Sequence, residues 1–218
     1  MLKVLALRCG EKLDSQKFQK ILSFLDEDIQ KKILSFYKWQ DAQRSLLGNF
    51  LVRVTLCEMF QVRNSDIKIV RSKLGKPYAD NIPQVSFNIA HSGAWIVAVF
   101  DSLPVGIDIE KIKEIDLDMA RKILNIDDFK EMMSLKESER PAYFYKCWTF
   151  NESYVKMQGK GMAIPLQSVK KLSNKAIFKT YPLDSNYVLS VCTISSKTTI
   201  GNKNNLIETK LKILAEAR

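Results

Sequence analysis

Asp108 and Glu110 lie two residues apart in Val105-Gly106-Ile107-Asp108-Ile109-Glu110, and Glu152 and Lys156 lie four apart in the segment from Trp148 to Lys156. The first segment reads as a β-strand. Side chains alternate along a strand, so Val105, Ile107 and Ile109 share one face and Asp108 and Glu110 the other. The second segment reads as a helix, with Glu152 and Lys156 one turn apart. Three carboxylates and an ammonium on rigid elements suit a magnesium ion and a phosphate. Each pair also has a plainer explanation. A strand with one apolar and one acidic face is ordinarily half-exposed. A Glu–Lys pair at this helical spacing is ordinarily a surface ion pair worth ~0.3–0.5 kcal/mol. Adjacent carboxylates repel, which a cation between them relieves.

Further candidates are scattered along the chain. His91 is the only histidine and follows an apolar run at Ser92-Gly93, where a strand end can present an imidazole to an anion. Gly75-Lys76-Pro77 is a turn that holds a lysine rigidly. Gly159-Lys160-Gly161 reads as a helix C-cap and turn. Lys32 and Arg44 occupy helical positions and, taken singly, read as surface cations. No phosphate-binding GxxxxGK[ST] loop, GxGxxG, HExxH or GxSxG occurs, and one histidine leaves little room for a Ser–His triad. Phosphoryl chemistry on a divalent metal is left.

The elements that must position these residues follow from periodicity. Val4–Arg8 reads as a strand, and Gln16–Phe24 and Glu27–Tyr37 as helices. The clearest helix is Asp41–Phe60, capped by Asp41, with Leu47, Phe50, Leu51, Val54, Cys57 and Phe60 at helical spacing. Ile67–Arg71 is a candidate strand. Val85–Ala90 and Trp95–Phe100 read as strands joined by His91-Ser92-Gly93. The plan then repeats. Val105–Glu110 is a strand, Asp116–Leu124, Ile126–Met133 and Arg140–Met157 are helical, and Val169–Leu172, Ala176–Thr180 and Tyr187–Ile194 read as strands. Tyr187-Val188-Leu189-Ser190-Val191-Cys192 echoes Trp95-Ile96-Val97-Ala98-Val99-Phe100. The pattern predicts an α+β fold of two similar halves, 1–104 and 105–218, the second carrying the three carboxylates suited to a metal. Ser195–Asn205 is polar and expected to be loose, and Leu206–Ala217 reads as a short terminal helix or tail.

With 218 residues and 46% hydrophobic content, the chain can bury a sizeable core. Its formal charge is +10. Splitting at residue 104 leaves 15 Lys+Arg against 10 Asp+Glu, then 19 against 14, so the excess is spread over both halves. Such a surface attracts anionic partners and also aids solubility. Cys9, Cys57, Cys147 and Cys192 are widely spaced among apolar residues, and read as buried free thiols in a reducing compartment. The apolar run Val4–Leu7 is too short for a signal peptide, and Ala94–Phe100 is far short of the ~20 residues that span a bilayer. A soluble, cytoplasmic protein is expected.

In order, Arg44-Ser45-Leu46-Leu47-Gly48, Gly75-Lys76-Pro77, Phe87-Asn88-Ile89-Ala90-His91-Ser92, Gly106-Ile107-Asp108-Ile109-Glu110 and Trp148 through Gly161 resemble the surfactin-type (Sfp-like) 4′-phosphopantetheinyl transferases. The matching motifs run from about residue 30 to 165. Most specific is the order FNxxHS, GIDIE, then W-x-x-x-E-S-x-x-K-x-x-G-x-G. The resemblance implies two similar α+β halves related by a pseudo-twofold, the second carrying the metal site, with the active site between them, and the double-length monomeric type rather than the shorter trimeric one. It implies transfer of the phosphopantetheine arm of coenzyme A to a serine of an acyl or peptidyl carrier protein, releasing adenosine 3′,5′-bisphosphate. By motif, Asp108, Glu110 and Glu152 would hold magnesium or manganese. Glu152 would be the general base, directly or through a water, with Asp128 assisting. Lys156 would neutralise the pyrophosphate, and His91, Lys76, Arg44 and Lys32 would hold the nucleotide phosphates. Carrier proteins are typically acidic, which suits the +10 charge; neither nucleic acid nor membrane is an expected partner.

Two positions depart from that pattern. Ala90 stands where a serine or threonine commonly precedes the histidine, which implies a missing hydroxyl contact to phosphate, ~0.5–1.5 kcal/mol. Asn151 stands where a lysine usually precedes the glutamate. Two rival readings remain: a basic nucleic-acid-binding or nuclease-like module, and a catalytically weakened coenzyme A-binding protein. The first lacks a helix-turn-helix, RNP or OB signature.

Overall fold

The computed structural model describes residues 2–181, 183–194 and 207–208. Strand β1 (Lys3–Arg8) leads into helices α1 (Ser15–Leu22), α2 (Glu27–Leu34) and α3 (Trp39–Phe60). Asp14 caps α1 by accepting from the Lys17 N–H at 2.8 Å. The long helix α3 starts two residues earlier than its sequence suggests. Lys38 is its N-cap and makes no side-chain cap bond, while Asp41 lies in the first turn and accepts from Arg44 at 2.5 Å. A carboxylate inside the first turn still meets the positive end of the helix, so the cap is dispensable.

Strands β2 (Ile69–Arg71) and β3 (Pro77–Ala79) form a small ribbon, of which β3 was not anticipated. Strands β4 (Ser86–Ser92) and β5 (Trp95–Asp101) then complete an antiparallel sheet in the order β4-β5-β1. His91 and Ser92 belong to β4 itself, paired with Ile96 and Trp95, and the turn is Gly93-Ala94. Gly93 takes a left-handed φ of 52° there, as a two-residue connection demands.

The second half repeats this plan. After β6 (Val105–Lys111) come α4 (Leu117–Ile123), α5 (Ile126–Ser134) and α6 (Arg140–Gln158), then the short α7 (Val169–Leu172), β7 (Ile177–Tyr181) and β8 (Tyr187–Thr193). The order β7-β8-β6, antiparallel throughout, matches β4-β5-β1 strand for strand. The echoed segments are the two central strands, β5 and β8. Val169–Leu172 is helical, not a strand: its apolar residues are three apart, the helical spacing, and Val169 turns into the core while the lysines between face out. Ser195–Asn205 lies outside the described residues. Of the expected terminal helix only Ile207–Glu208 is described, and it forms strand β9 parallel to β1.

Alternation sorts the core into layers. Ile96, Ala98 and Phe100 of β5 face Leu47, Phe50 and Leu51 of α3. Val97 and Val99 face the other way, into a cluster shared with Ile107 and Ile109 of β6 and Leu189 and Val191 of β8. The two sheets thus stack through one apolar layer, with α3 outside the first and α6 outside the second. Cys9 and Cys192 are buried, whereas Cys57 and Cys147 are only half-buried; all four are free thiols. Among the described residues no helix is long and apolar enough to cross a membrane.

Candidate active site

Gly106 decides how α6 meets β6. A Cβ there would lie 2.0 Å from the Ser153 carbonyl oxygen and 2.4 Å from the Met157 amide nitrogen. With no side chain in the way, the helix backbone rests on the strand, over the face that carries Asp108 and Glu110. The strand is therefore covered on both sides, and Asp108 is only 3% exposed. Lys156 does not pair with Glu152. Its Nζ meets Asp108 Oδ1 at 2.5 Å instead. Neither plain explanation of these residues holds in the folded chain.

Asp108 is electrostatically poised. Burial pushes its carboxyl up to about 7 against the opposing pull of Lys156, and Glu110 and Glu152 raise it further. Its Oδ2 is buried and has no hydrogen-bond partner among the described residues. Burial also raises Glu110, against the hydrogen bond from Ser92 Oγ to Glu110 Oε2 at 2.8 Å, and Glu152 adds to the rise. Glu152 makes no hydrogen bond or ion pair among the described residues. A hard divalent cation fits this donor set: an orphaned buried carboxylate oxygen with two further carboxylates within electrostatic reach. Even so, among the described residues no three acidic, histidine or cysteine side chains close around a single point, and it is an ammonium that now meets Asp108.

Glu152 and Lys156 form one wall of a cleft of about 520 Å³, with Lys76, Pro77, Asn88 and Leu166 around it. A smaller cavity of about 230 Å³ shares Pro77 and Asn88 with the cleft and holds Arg44, Arg71 and His91. Arg44 is fixed there by donating to the Gly93 carbonyl at 3.1 Å. The surrounding protein, then Arg44 and Lys156, hold the His91 imidazole below its ordinary value, although much of its surface meets solvent. Arg44 and Arg71, with the imidazole beside them, define a cationic corner suited to a phosphate. A larger groove, about 880 Å³ between α5 and residues 165–171, is lined by none of these groups.

Other expected site residues are employed differently. Lys76 Nζ donates to the Val105 carbonyl at 3.1 Å and the Met157 carbonyl at 2.9 Å. A side chain from the first half is thereby pinned to β6 and α6 of the second, and burial brings its ammonium down to about 8. Asp128 is mostly buried in the first turn of α5, bonded to Asn125 at 2.5 Å and Lys170 at 2.6 Å, and borders neither cavity. Lys32 is exposed on α2 and borders neither cavity. Ala90 lies on the face of β4 opposite His91, 6% exposed in the layer between the sheets, so a hydroxyl at this position would enter an apolar cluster rather than the cationic corner. Asn151 is 4% exposed inside α6, and a lysine ammonium in its place would lose its hydration.

The residues that sequence reasoning passed over are Asn88 and Ser92. Both lie on the Ala90 face of β4. Asn88 Oδ1 accepts from the Ile107 N–H at 3.0 Å, and Ser92 Oγ from the Lys111 N–H at 3.1 Å. Alternate amides along the outer edge of β6 are thus satisfied by side chains of the other half instead of by a neighbouring strand. Their even spacing around Ala90 was the available signal.

Two family models match the chain: "4′-phosphopantetheinyl transferase, N-terminal" over residues 13–102, and "4′-phosphopantetheinyl transferase superfamily" over residues 104–197. The chain is 32% identical over 205 residues to the 4′-phosphopantetheinyl transferase Sfp of Bacillus subtilis, covering 88% of this chain and 92% of that one. It is 31% identical over 226 residues to the 4′-phosphopantetheinyl transferase gsp of Aneurinibacillus migulanus, covering 98% and 92%. It is 36% identical over 167 residues to the 4′-phosphopantetheinyl transferase psf-1 of Bacillus pumilus, covering 70% and 72%.

Proposed function

The chain belongs to the 4′-phosphopantetheinyl transferase superfamily, and from that membership we propose that it moves the phosphopantetheine arm of coenzyme A onto a serine of an acidic acyl or peptidyl carrier protein. The observation that supports this most directly is the Asp108 carboxylate, buried, with one oxygen on Lys156 and the other without a partner, beside Glu110 and Glu152 at the edge of the cleft.

The chemistry assigns a task to each group. The serine oxygen bonds to the phosphorus that carries the pantetheine, the pyrophosphate P–O bond breaks, and adenosine 3′,5′-bisphosphate leaves with that oxygen. Glu152, whose carboxylate makes no hydrogen bond or ion pair among the described residues, accepts the serine proton, directly or through one water. Lys156, poised over Asp108, offsets charge on the departing phosphate. Arg44 and His91 hold the 3′-phosphate in the cationic corner. Asp108, Glu110 and Glu152 would hold the magnesium ion, which when bound neutralises charge on the pyrophosphate oxygens. Fixing the groups and neutralising charge are most of what phosphoryl transfer requires. The halves are 1–104 and 105–218, with β4 of the first beside β6 of the second, and the chain works as a monomer in the cytoplasm.

The test is direct. Purified chain, coenzyme A, magnesium chloride and an apo carrier protein are mixed and the carrier is weighed by intact mass spectrometry. One added phosphopantetheine per carrier, abolished by a metal chelator, is expected. An unchanged mass across a panel of acyl and peptidyl carriers would overturn the proposal.

A further inference from the structure

The hydroxyl of Ser92 accepts one hydrogen bond and donates another. The Lys111 N–H donates to Ser92 Oγ at 3.1 Å, so the serine's own proton points at Glu110 Oε2, 2.8 Å away. Glu110 Oε1 makes no hydrogen bond among the described residues. One carboxylate oxygen is therefore held from outside while the other stays open. The holding residue comes from the opposite half of the chain. It sits next to His91 in β4, and alternation sends the two side chains to opposite faces, His91 toward Arg44 and Ser92 toward β6.

We propose that Ser92 is a positioning residue that fixes the Glu110 carboxylate for the divalent cation. This rests on the assignment of Glu110 to a metal site. A carboxylate on a flexible stem loses rotamer freedom when it takes up a ligand; a directed hydroxyl fixes it beforehand. The same contact ties the occupancy of the cation site to the alignment of β4 against β6. Its loss affects the affinity for metal before it affects the chemical step.

The experiment compares the wild-type chain with Ser92→Ala and Ser92→Thr. Magnesium titrations of carrier modification give the half-saturating metal concentration, kcat at saturating magnesium and KM for coenzyme A. Manganese binding, read as the loss of the free-ion signal in electron paramagnetic resonance with coenzyme A present, reports on the site without turnover. Ser92→Ala is expected to raise the half-saturating magnesium concentration and weaken manganese binding by about three- to tenfold, the range of one ordinary intramolecular hydrogen bond. kcat at saturating metal and KM for coenzyme A should stay within about twofold. Ser92→Thr keeps the hydroxyl and should restore both metal readouts. Unchanged magnesium and manganese affinities in Ser92→Ala would overturn the positioning role alone. Absence of manganese binding and of any magnesium requirement in the wild-type chain would overturn the metal site, and the role of Ser92 with it. A Ser92→Ala chain that melts far below wild type and regains no metal affinity as Ser92→Thr would make Ser92 merely structural, and also overturn the proposal.

Discussion

At the scale of single residues, the carboxylates and the imidazole carry the predictions. Glu152→Gln keeps the shape of the side chain but cannot accept a proton. Asp108→Ala removes the partner of Lys156. Each should lower kcat by at least ~100-fold while leaving the melting temperature near wild type, the usual size of a lost acid–base or charge-stabilising group. Rates within a few-fold of wild type in both would remove them from the chemistry. The prediction at His91 concerns protons. The free imidazole sits below its ordinary value, so it is largely neutral at pH 7. A phosphate placed against it raises that value, and coenzyme A binding then takes up a proton. Affinity should increase as the pH falls toward about 6.5, the ordinary histidine range. Calorimetric titrations of coenzyme A in two buffers of different ionisation enthalpy should give different apparent heats for wild type and equal ones for His91→Gln. Equal heats for wild type would mean that no phosphate reaches this imidazole.

At the scale of elements, the contact between α6 and β6 stands out. Gly106→Ala drives a methyl group into the backbone of Ser153 and Met157, neither of which is a flexible side-chain end. The helix must lift or the strand shift, and Lys156 loses its register over Asp108. A stability loss of roughly 1–3 kcal/mol, the range for overpacked cores, is expected in urea unfolding, together with lost transfer activity. Unaltered stability would mean that the packing yields more easily than the 2.0 Å approach implies. On β4 the alternation decides which side of the strand does what. Phe87 and Ile89 pack toward α3, with His91 at the Arg44 corner, while Asn88, Ala90 and Ser92 address the second half. That is why Ala90, which looks like a defect in the phosphate-binding motif, removes no hydroxyl from the cationic corner.

At the scale of the whole molecule, the Lys76 clasp and the net charge have separate consequences. Burial holds Lys76 at about 8 in the folded chain, below its ordinary 10.5. Between those values the unfolded chain binds a proton that the folded chain has shed, so this group makes folding more favourable as the pH rises through that window. Lys76→Met should lack the increment, which is at most about 3 kcal/mol, in a comparison of urea midpoints at pH 7.5 and 10. Parallel pH dependence in the two chains would refute the assignment. The +10 charge predicts steering of an acidic carrier. kcat/KM for the carrier should fall by about tenfold between 20 and 300 mM salt, to be read from initial rates. A flat profile would leave the surface charge without a kinetic role.

Much of this was legible in the sequence. The period-2 run around Asp108 and the helical run around Glu152 and Lys156 identify their elements correctly, and the echo of Trp95–Phe100 in Tyr187–Cys192 locates the two central strands of a repeated plan. Local chemistry sufficed there, because alternation and helical spacing depend only on neighbours along the chain. The cap of α3, the reach of β4 through Ser92 and the helical form of Val169–Leu172 were misjudged: Asp41 bonds Arg44 inside the first turn, pairing with β5 carries β4 on to Ser92, and two apolar residues three apart match a helix better than a strand. What the sequence by itself determined is the set of groups available, which acids and cations exist and on which kind of element. What only the tertiary structure decided is their employment: that Lys156 meets Asp108 and not Glu152, that Lys76 binds carbonyls across the seam, that Asp128 is bound to Asn125 and Lys170, and that Ser92 holds Glu110. The physical reason is that a charge or hydroxyl finds its partner by distance in space and by loss of water, and neither quantity is encoded in the spacing of residues along the chain.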